Sequence, residues 1–214
     1  MFLLLISIAT TQLVALASPG PDFFFVSQVA ASSTRRQSFR AVCGITAGVF
    51  VWAFAAILGL NIILKQFPML HRGIMILGGA YLLYLAYLLT KSAISAHKAK
   101  NTPSEPKLPT VRSKFFLKGL LTNLSNTKAL IYFVSVFSAI VTGSVDISTK
   151  GIILGLIVVE TFLWFLFVAY VFSLPKVKAK YQEYTQYVDG AAGLCFLFFG
   201  AFLVYTGLLG NLNI

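Results

Sequence analysis

Asp22 and Lys128 are the charged side chains whose settings most invite chemistry, because each closes a polar interruption of a long apolar run. Asp22 ends Ser18-Pro19-Gly20-Pro21-Asp22, a helix-breaking pentapeptide between the apolar runs 2–17 and 23–31. Lys128 ends Thr122-Asn123-Leu124-Ser125-Asn126-Thr127-Lys128. A carboxylate and an ammonium brought together from such places can pair with each other, or serve as separate handles for a ligand carrying both charges. Pro19 and Pro21 lack an N–H and crowd the carbonyl four residues back, which leaves the carbonyls of Ala15 and Ala17 short of partners. Beyond the break, a new helix N-terminus turns free N–H groups toward the same spot. Pro19, Gly20, Pro21, Asp22, Asn123, Asn126 and Lys128 are therefore candidate ligand-binding and coupling residues.

Two further residues join them. Glu160, in the run Val158–Trp164, is the only other acid deep in an apolar stretch, and it suits either proton carriage or a hydrogen bond made in its neutral form. Gln12, with Thr10 and Thr11, is less specific, since polar residues of this kind often bond simply between helices. Asp22 itself has a bland reading as a first-turn residue favoured by the helix dipole, and Lys128 as a lysine reaching out from a membrane edge.

The elements that must position these residues are apolar helices. With 58% hydrophobic and 11% charged residues in 214, and a mean hydropathy of +0.86, the chain reads as a polytopic membrane protein. Six apolar segments can be drawn, at 2–31, 41–63, 70–90, 115–142, 151–173 and 189–209. The first would be about 45 Å long as one helix, against a hydrocarbon layer of roughly 30 Å, so the prolines are expected to interrupt it. In the fourth, the 14 residues from Ala129 to Thr142 make about 21 Å of helix, too little to cross, so 115–121 is needed too and Lys128 falls inside the span. Irregular backbone at that depth persists only where protein buries it or water reaches it.

The net charge of +11 follows alternate loops rather than forming a nucleic-acid patch. Arg35, Arg36 and Arg40 lie in the first loop, Lys91 to Lys118 in the third, and Lys176, Lys178 and Lys180 in the fifth, whereas the fourth has only Lys150. The positive-inside rule then makes these loops cytoplasmic and puts both termini outside, with anionic lipid headgroups as the partners of the charge. Ala15-Leu16-Ala17 resembles a cleavage site, but no Lys or Arg precedes it and Pro-Gly-Pro lies directly behind, so the segment is expected to be kept.

The two halves of the chain also resemble each other. Phe25-Val26-Ser27 matches Phe133-Val134-Ser135, Gly44-Ile45-x-x-Gly48 matches Gly151-Ile152-x-x-Gly155, and Gly79-Ala80-Tyr81-Leu82-x-Tyr84 matches Gly200-Ala201-Phe202-Leu203-x-Tyr205, in the same order. The expected fold is all-α, six transmembrane helices as two inverted three-helix repeats, 1–90 and 115–214, joined by a flexible cytoplasmic linker at 91–114. An odd number of spans per half inverts the second. The first helix of each half is broken, and the two breaks face each other.

Other features read as structural. Cys43 and Cys195 lack any redox or metal spacing, and no cofactor or metal site is expected. Hydrolase and phosphate-loop motifs are missing, so the chain is not expected to be an enzyme. Gly44, Gly48, Gly78, Gly79, Gly193 and Gly200 fit close helix packing. Tyr81, Tyr84 and Tyr87, three apart, are expected to pack in the core, with an interfacial aromatic belt as another place for Tyr87. Small residues are plentiful enough for a homodimer.

These residues resemble a known family, the LysE/RhtB amino-acid exporters, in the branch with homoserine and threonine efflux proteins. The resemblance covers nearly the whole chain and rests on Ser18–Asp22, Arg35-Arg36 followed by Gly44-Ile45-x-x-Gly48, Gly79–Leu85, and Phe116-Leu117-Lys118-Gly119-x-Leu121-Thr122-Asn123-x-x-Asn126-Thr127-Lys128-Ala129. It departs at Thr127, where the family usually has proline between Asn126 and Lys128. The resemblance implies a bacterial inner-membrane protein that exports amino acids or close derivatives, in exchange for protons. A passive channel for small zwitterions and a membrane thiol or metal-ion carrier of a distantly related type are the alternatives.

Overall fold

The computed structural model describes residues 2–18, 20–59, 66–99, 114–133 and 146–209, and every regular element among them is a helix. In chain order these are α1 (Phe2–Ala17), α2 (Pro21–Ser32), α3 (Arg35–Ile57), α4 (Pro68–Ala99), α5 (Phe115–Leu124), α6 (Thr127–Ile131), α7 (Ile147–Ser173), α8 (Pro175–Glu183) and α9 (Thr185–Leu209). Four stretches are long and apolar enough to cross a membrane: Arg35–Ile57, Met69–Ile94, Ile147–Ser173 and Gln186–Leu209. The pair α1 and α2, inclined by 60° at the break, is apolar enough to be a fifth if it is one broken span rather than a re-entrant loop. The remaining expected crossing, 115–142, is described only as far as Phe133, so the six-helix arrangement is not complete among the described residues.

Local chemistry explains where the helices begin. Pro21 opens α2 and Pro175 opens α8, each at a first-turn position where its missing N–H has no intrahelical role. A capping box starts α3, in which Thr34 accepts from the Gln37 N–H at 3.3 Å and the Gln37 side chain accepts from the Thr34 N–H at 2.9 Å. That cap places the helix start at Arg35 rather than at 41, giving α3 a polar first turn. Asp146 caps α7 through the Thr149 N–H, and hydrogen bonds from Ser148 and Thr149 hold its carboxyl well below the usual carboxylate range.

The sequence reading of 91–114 as a flexible linker needs correction at its start. Helix α4 runs on through Lys91–Ala99. Ser, Ala, Ile and Lys without Gly or Pro sustain a helix there, and the first proline is Pro103.

The most extensive helix pair is α4 with α9, followed by α3 with α5, α3 with α7 and α2 with α7. Ile8, Val26, Ile45, Leu82, Ile153, Phe165, Phe196 and Leu203 fill the core between them. Glycines permit the close approaches, as expected: a Cβ at Gly79 would lie 2.8 Å from the Gly200 carbonyl oxygen, and a Cβ at Gly200 would lie 3.0 Å from that of Gly79. The tyrosines behave otherwise. Tyr81 is half-buried and donates to the Lys118 carbonyl at 3.2 Å, but Tyr84 and Tyr87 are exposed. At 3.6 residues per turn a spacing of three drifts around the helix by about 60° each step, which carries Tyr87 away from the core.

The basic segments gather at one end. Lys178 of α8 donates to the carbonyl of Ser33, between α2 and α3, at 2.9 Å. Ser32, Ser92 at the far end of α4 and Lys118 at the start of α5 line one cavity at this end.

Candidate functional site

Both interruptions are where the sequence places them. Helix α1 stops at Ala17 and α2 restarts at Pro21 behind Gly20; α5 stops at Leu124 and α6 restarts at Thr127. The second break forms without the proline because Asn126 caps the new helix, its side-chain oxygen accepting from the Lys128 N–H at 3.0 Å. Pro19 lies outside the described residues.

The two breaks meet on Asp22. This carboxylate is 8% exposed, and its Oδ2 accepts from Asn123 Nδ2 and from Asn126 Nδ2, both at 2.8 Å. These are short bonds of the charge-assisted kind, from two residues just before and within the second break. Its Oδ1 is buried without a hydrogen-bond partner, and so is Oδ1 of Asn123. Unpartnered acceptors inside a protein are unfavourable unless something else comes to bind them.

Among the described contacts Lys128 makes no hydrogen bond to Asp22, although the two charges lie near enough to attract each other. Its ammonium donates to the carbonyl of Ser18, and it lies against Gly20, whose added Cβ would be 3.5 Å from the nitrogen. The free carbonyl that attracts the cation is thus Ser18's, one residue beyond Ala17. The hydrogen bonds of the carboxylate and of the ammonium thus go to neutral partners.

The remaining candidates lie on α1 and α7. Gln12 is buried and donates to Thr161 Oγ1 at 3.0 Å, tying α1 to α7. Glu160, the residue before Thr161, is half-buried, and among the described residues no hydrogen bond connects it with the Asp22 cluster. Its Oε2 is buried without a partner, as is Nε1 of Trp164 one turn on. Among the described residues no cluster of His, Cys, Asp and Glu is suited to a metal, and Cys43 and Cys195 are free thiols.

Trp52 and Asp189 were missed in the sequence, and Gly48, read there as a packing glycine, packs against the site itself. Trp52 donates from Nε1 to the Asn123 carbonyl at 3.3 Å and fixes the end of α5. Gly48 faces Asn123 so closely that an added Cβ would lie 2.5 Å from its Oδ1. Asp189, 3% exposed, accepts from Gln28 and Tyr181 at 3.1 and 2.8 Å through Oδ1 and from Ser92 at 2.7 Å through Oδ2, joining α2, α4, α8 and α9. Its signal was an acid at the head of the last apolar run, with Gln28 facing the corresponding end of α2.

A bundle of membrane-length apolar helices around a buried carboxylate, held between two helix interruptions, defines an integral membrane protein with an intramembrane polar site. The chain belongs to the LysE type translocator family, whose profile matches residues 13–207. It is 45% identical over 207 residues to the threonine efflux proteins of Salmonella typhi and of Escherichia coli K12, a match covering 96% of this chain and 100% of each relative. An uncharacterized membrane protein of Haemophilus influenzae is 40% identical over 205 residues, 96% of this chain and 98% of its own. No solved structure matches the chain.

Proposed function

We propose that this chain exports an amino acid, threonine being the first to test, across the bacterial inner membrane in exchange for protons. The observation that carries the reading is the convergence of two interrupted helices on Asp22, with Lys128 close by on a separate partner. Family membership and the efflux function in the names of the 45% identical relatives point to the same class of cargo.

Substrate arriving from the basic, cytoplasmic end places its ammonium between Asp22 Oδ1 and the Ser18 carbonyl. Its carboxylate draws the Lys128 ammonium off that carbonyl and takes further hydrogen bonds from the amides of Asn123 and Asn126. Residues 1–90 and 115–214 then rock about this site as inverted halves. Two observations support that motion. The repeat-related Gly79 and Gly200 approach each other reciprocally, and α3 packs on α5 and α6 as α7 packs on α1 and α2. Protonation of Asp22 from outside releases the substrate ammonium, and Glu160 serves as a second proton carrier on α7. Pro19, Gly20 and Pro21 keep the carbonyls of the first break free, Gln12 holds α1 to α7, and both termini lie outside.

The test is efflux of labelled threonine and other amino acids from loaded vesicles, with and without an imposed proton gradient, for the parent, Asp22→Asn and Lys128→Gln. Gradient-driven efflux in the parent and its loss in both variants is the expected result. Variants made at normal levels that export as well as the parent would end this assignment of roles, and efflux indifferent to the gradient would indicate a channel.

A further inference from the structure

A cavity of about 330 Å³ opens between α2, α4, α5 and α9 at the end that carries the basic segments. Its volume is at the lower end of the range for small-ligand sites. On α2, Phe25, Val29 and Ser32 follow Asp22 at spacings of three, four and three, one helix face about 15 Å long, and all three line the cavity. The cavity therefore begins about one turn from the carboxylate and ends at the loop side of the bundle.

The walls are polar in opposite senses. Lys118 is the cation among the described lining residues, and no acidic side chain described pairs with its ammonium. Its backbone is fixed, because its carbonyl accepts from Thr122 Oγ1 at 2.7 Å as well as from Tyr81. Across the cavity, Gln28 and Ser92 both line the wall and both donate to the buried Asp189. That arrangement leaves the Gln28 amide oxygen and the Ser92 hydroxyl oxygen as acceptors, with a carboxylate behind them. A cation on one side and acceptors backed by an anion on the other suit a small zwitterion.

We propose that this cavity is a cytoplasmic holding site, distinct from the Asp22 site, that takes the outgoing amino acid by its carboxylate on Lys118 and its ammonium at Gln28 and Ser92. It rests on the export reading above. The face of α2 that lines it then leads the substrate toward Asp22. Lys118 has a duller reading as an edge lysine held by lipid phosphate, and the experiment separates the two.

The test uses everted vesicles, whose cytoplasmic face is outward, and the concentration dependence of labelled threonine uptake. Lys118→Gln is expected to raise the KM about tenfold, the worth of one hydrogen bond to a charged group, with Vmax kept within about twofold. Lys118→Arg keeps the parent KM, and the effect persists in proteoliposomes of neutral lipid. In a second readout, Leu88→Cys on the cavity wall, in a chain with Cys43→Ser and Cys195→Ser, is alkylated by a membrane-impermeant maleimide. Threonine is expected to slow the labelling, and to slow it still when Asp22→Asn is added. An unchanged KM in Lys118→Gln, an effect confined to anionic lipid, or labelling that threonine leaves unaltered overturns the holding site. A parent that takes up none of the amino acids tried overturns the export reading instead.

Discussion

Gly48→Ala tests the site through a residue that carries no chemistry of its own. The added methyl would lie 2.5 Å from Asn123 Oδ1, 2.8 Å from its Cβ and 2.9 Å from its Cγ. To reach the 3.0–3.4 Å of the tightest real contacts, Asn123 must retreat by about 0.5–0.9 Å. Its Nδ2 donates to Asp22 at 2.8 Å, and a retreat of that size stretches the bond to about 3.5 Å, where little of it remains. A hydrogen bond to a charged group is worth about 1.5–3 kcal/mol, so Vmax/KM for export is expected to fall about 10- to 100-fold. Overpacking of the α3–α5 contact also destabilises, by about 1–3 kcal/mol, so transport must be scaled to folded protein and a melting temperature measured beside it.

The sequence match between the two halves suggests the control. Gly155 falls on Gly48 when Gly151-Ile152-x-x-Gly155 is set against Gly44-Ile45-x-x-Gly48, yet nothing lies within 4 Å of a Cβ built there. Gly155→Ala is expected to transport normally and to gain about 0.5–1 kcal/mol from helix propensity. A double-mutant cycle isolates the cause: Asn123→Ala removes two of the three crowded atoms, so adding Gly48→Ala to it should lower transport by less than about threefold. Export by Gly48→Ala at the parent rate and KM would refute the reasoning, and a full additional loss in the Asn123→Ala background would place its effect elsewhere.

Two further outcomes follow from single residues. Asp189→Ala strands the donors of Gln28, Ser92 and Tyr181, and is expected to destabilise by about 3 kcal/mol or more, read as a lowered melting temperature in detergent, with Asp189→Asn intermediate. Thr127→Pro should be tolerated, because Thr127 is the first residue of α6 and Asn126, at φ −80° and ψ 108°, already has the extended backbone that precedes proline; a lost cap would show as failed export and a lower melting temperature.

The elements were legible because their signals are local. Helix breakers and caps act within a turn, so the interruptions at Pro19–Pro21 and at Ser125–Asn126 could be read from the residues alone. Boundaries were less legible where the helix outruns its apolar stretch, as α3 does from Arg35 and α4 does through Ala99, since apolarity marks the membrane and not the end of hydrogen bonding. Laying one half of the chain over the other set the two breaks opposite each other, but it did not show that Asn123 and Asn126 would both donate to Asp22.

Rotation about the helix axis is what the sequence does not carry in such a chain. Helix α7 carries apolar residues on every side, so nothing in its residues says that Thr161 turns to Gln12. The same gap hid Asp189, whose three donors come from three other helices, and Gly48, whose significance depends on Asn123 standing opposite. It also left open whether Asp22 and Lys128 would neutralise each other. On the export reading proposed above, an internal ion pair would have to be broken at the expense of both charges before a zwitterion could bind, whereas Asp22 rests on two amides with Oδ1 open and Lys128 has a neutral carbonyl to exchange for a charged partner. On that reading only the Lys128 contact with Ser18 is given up and the amides stay on Asp22, so substrate can enter without leaving either charge buried and alone.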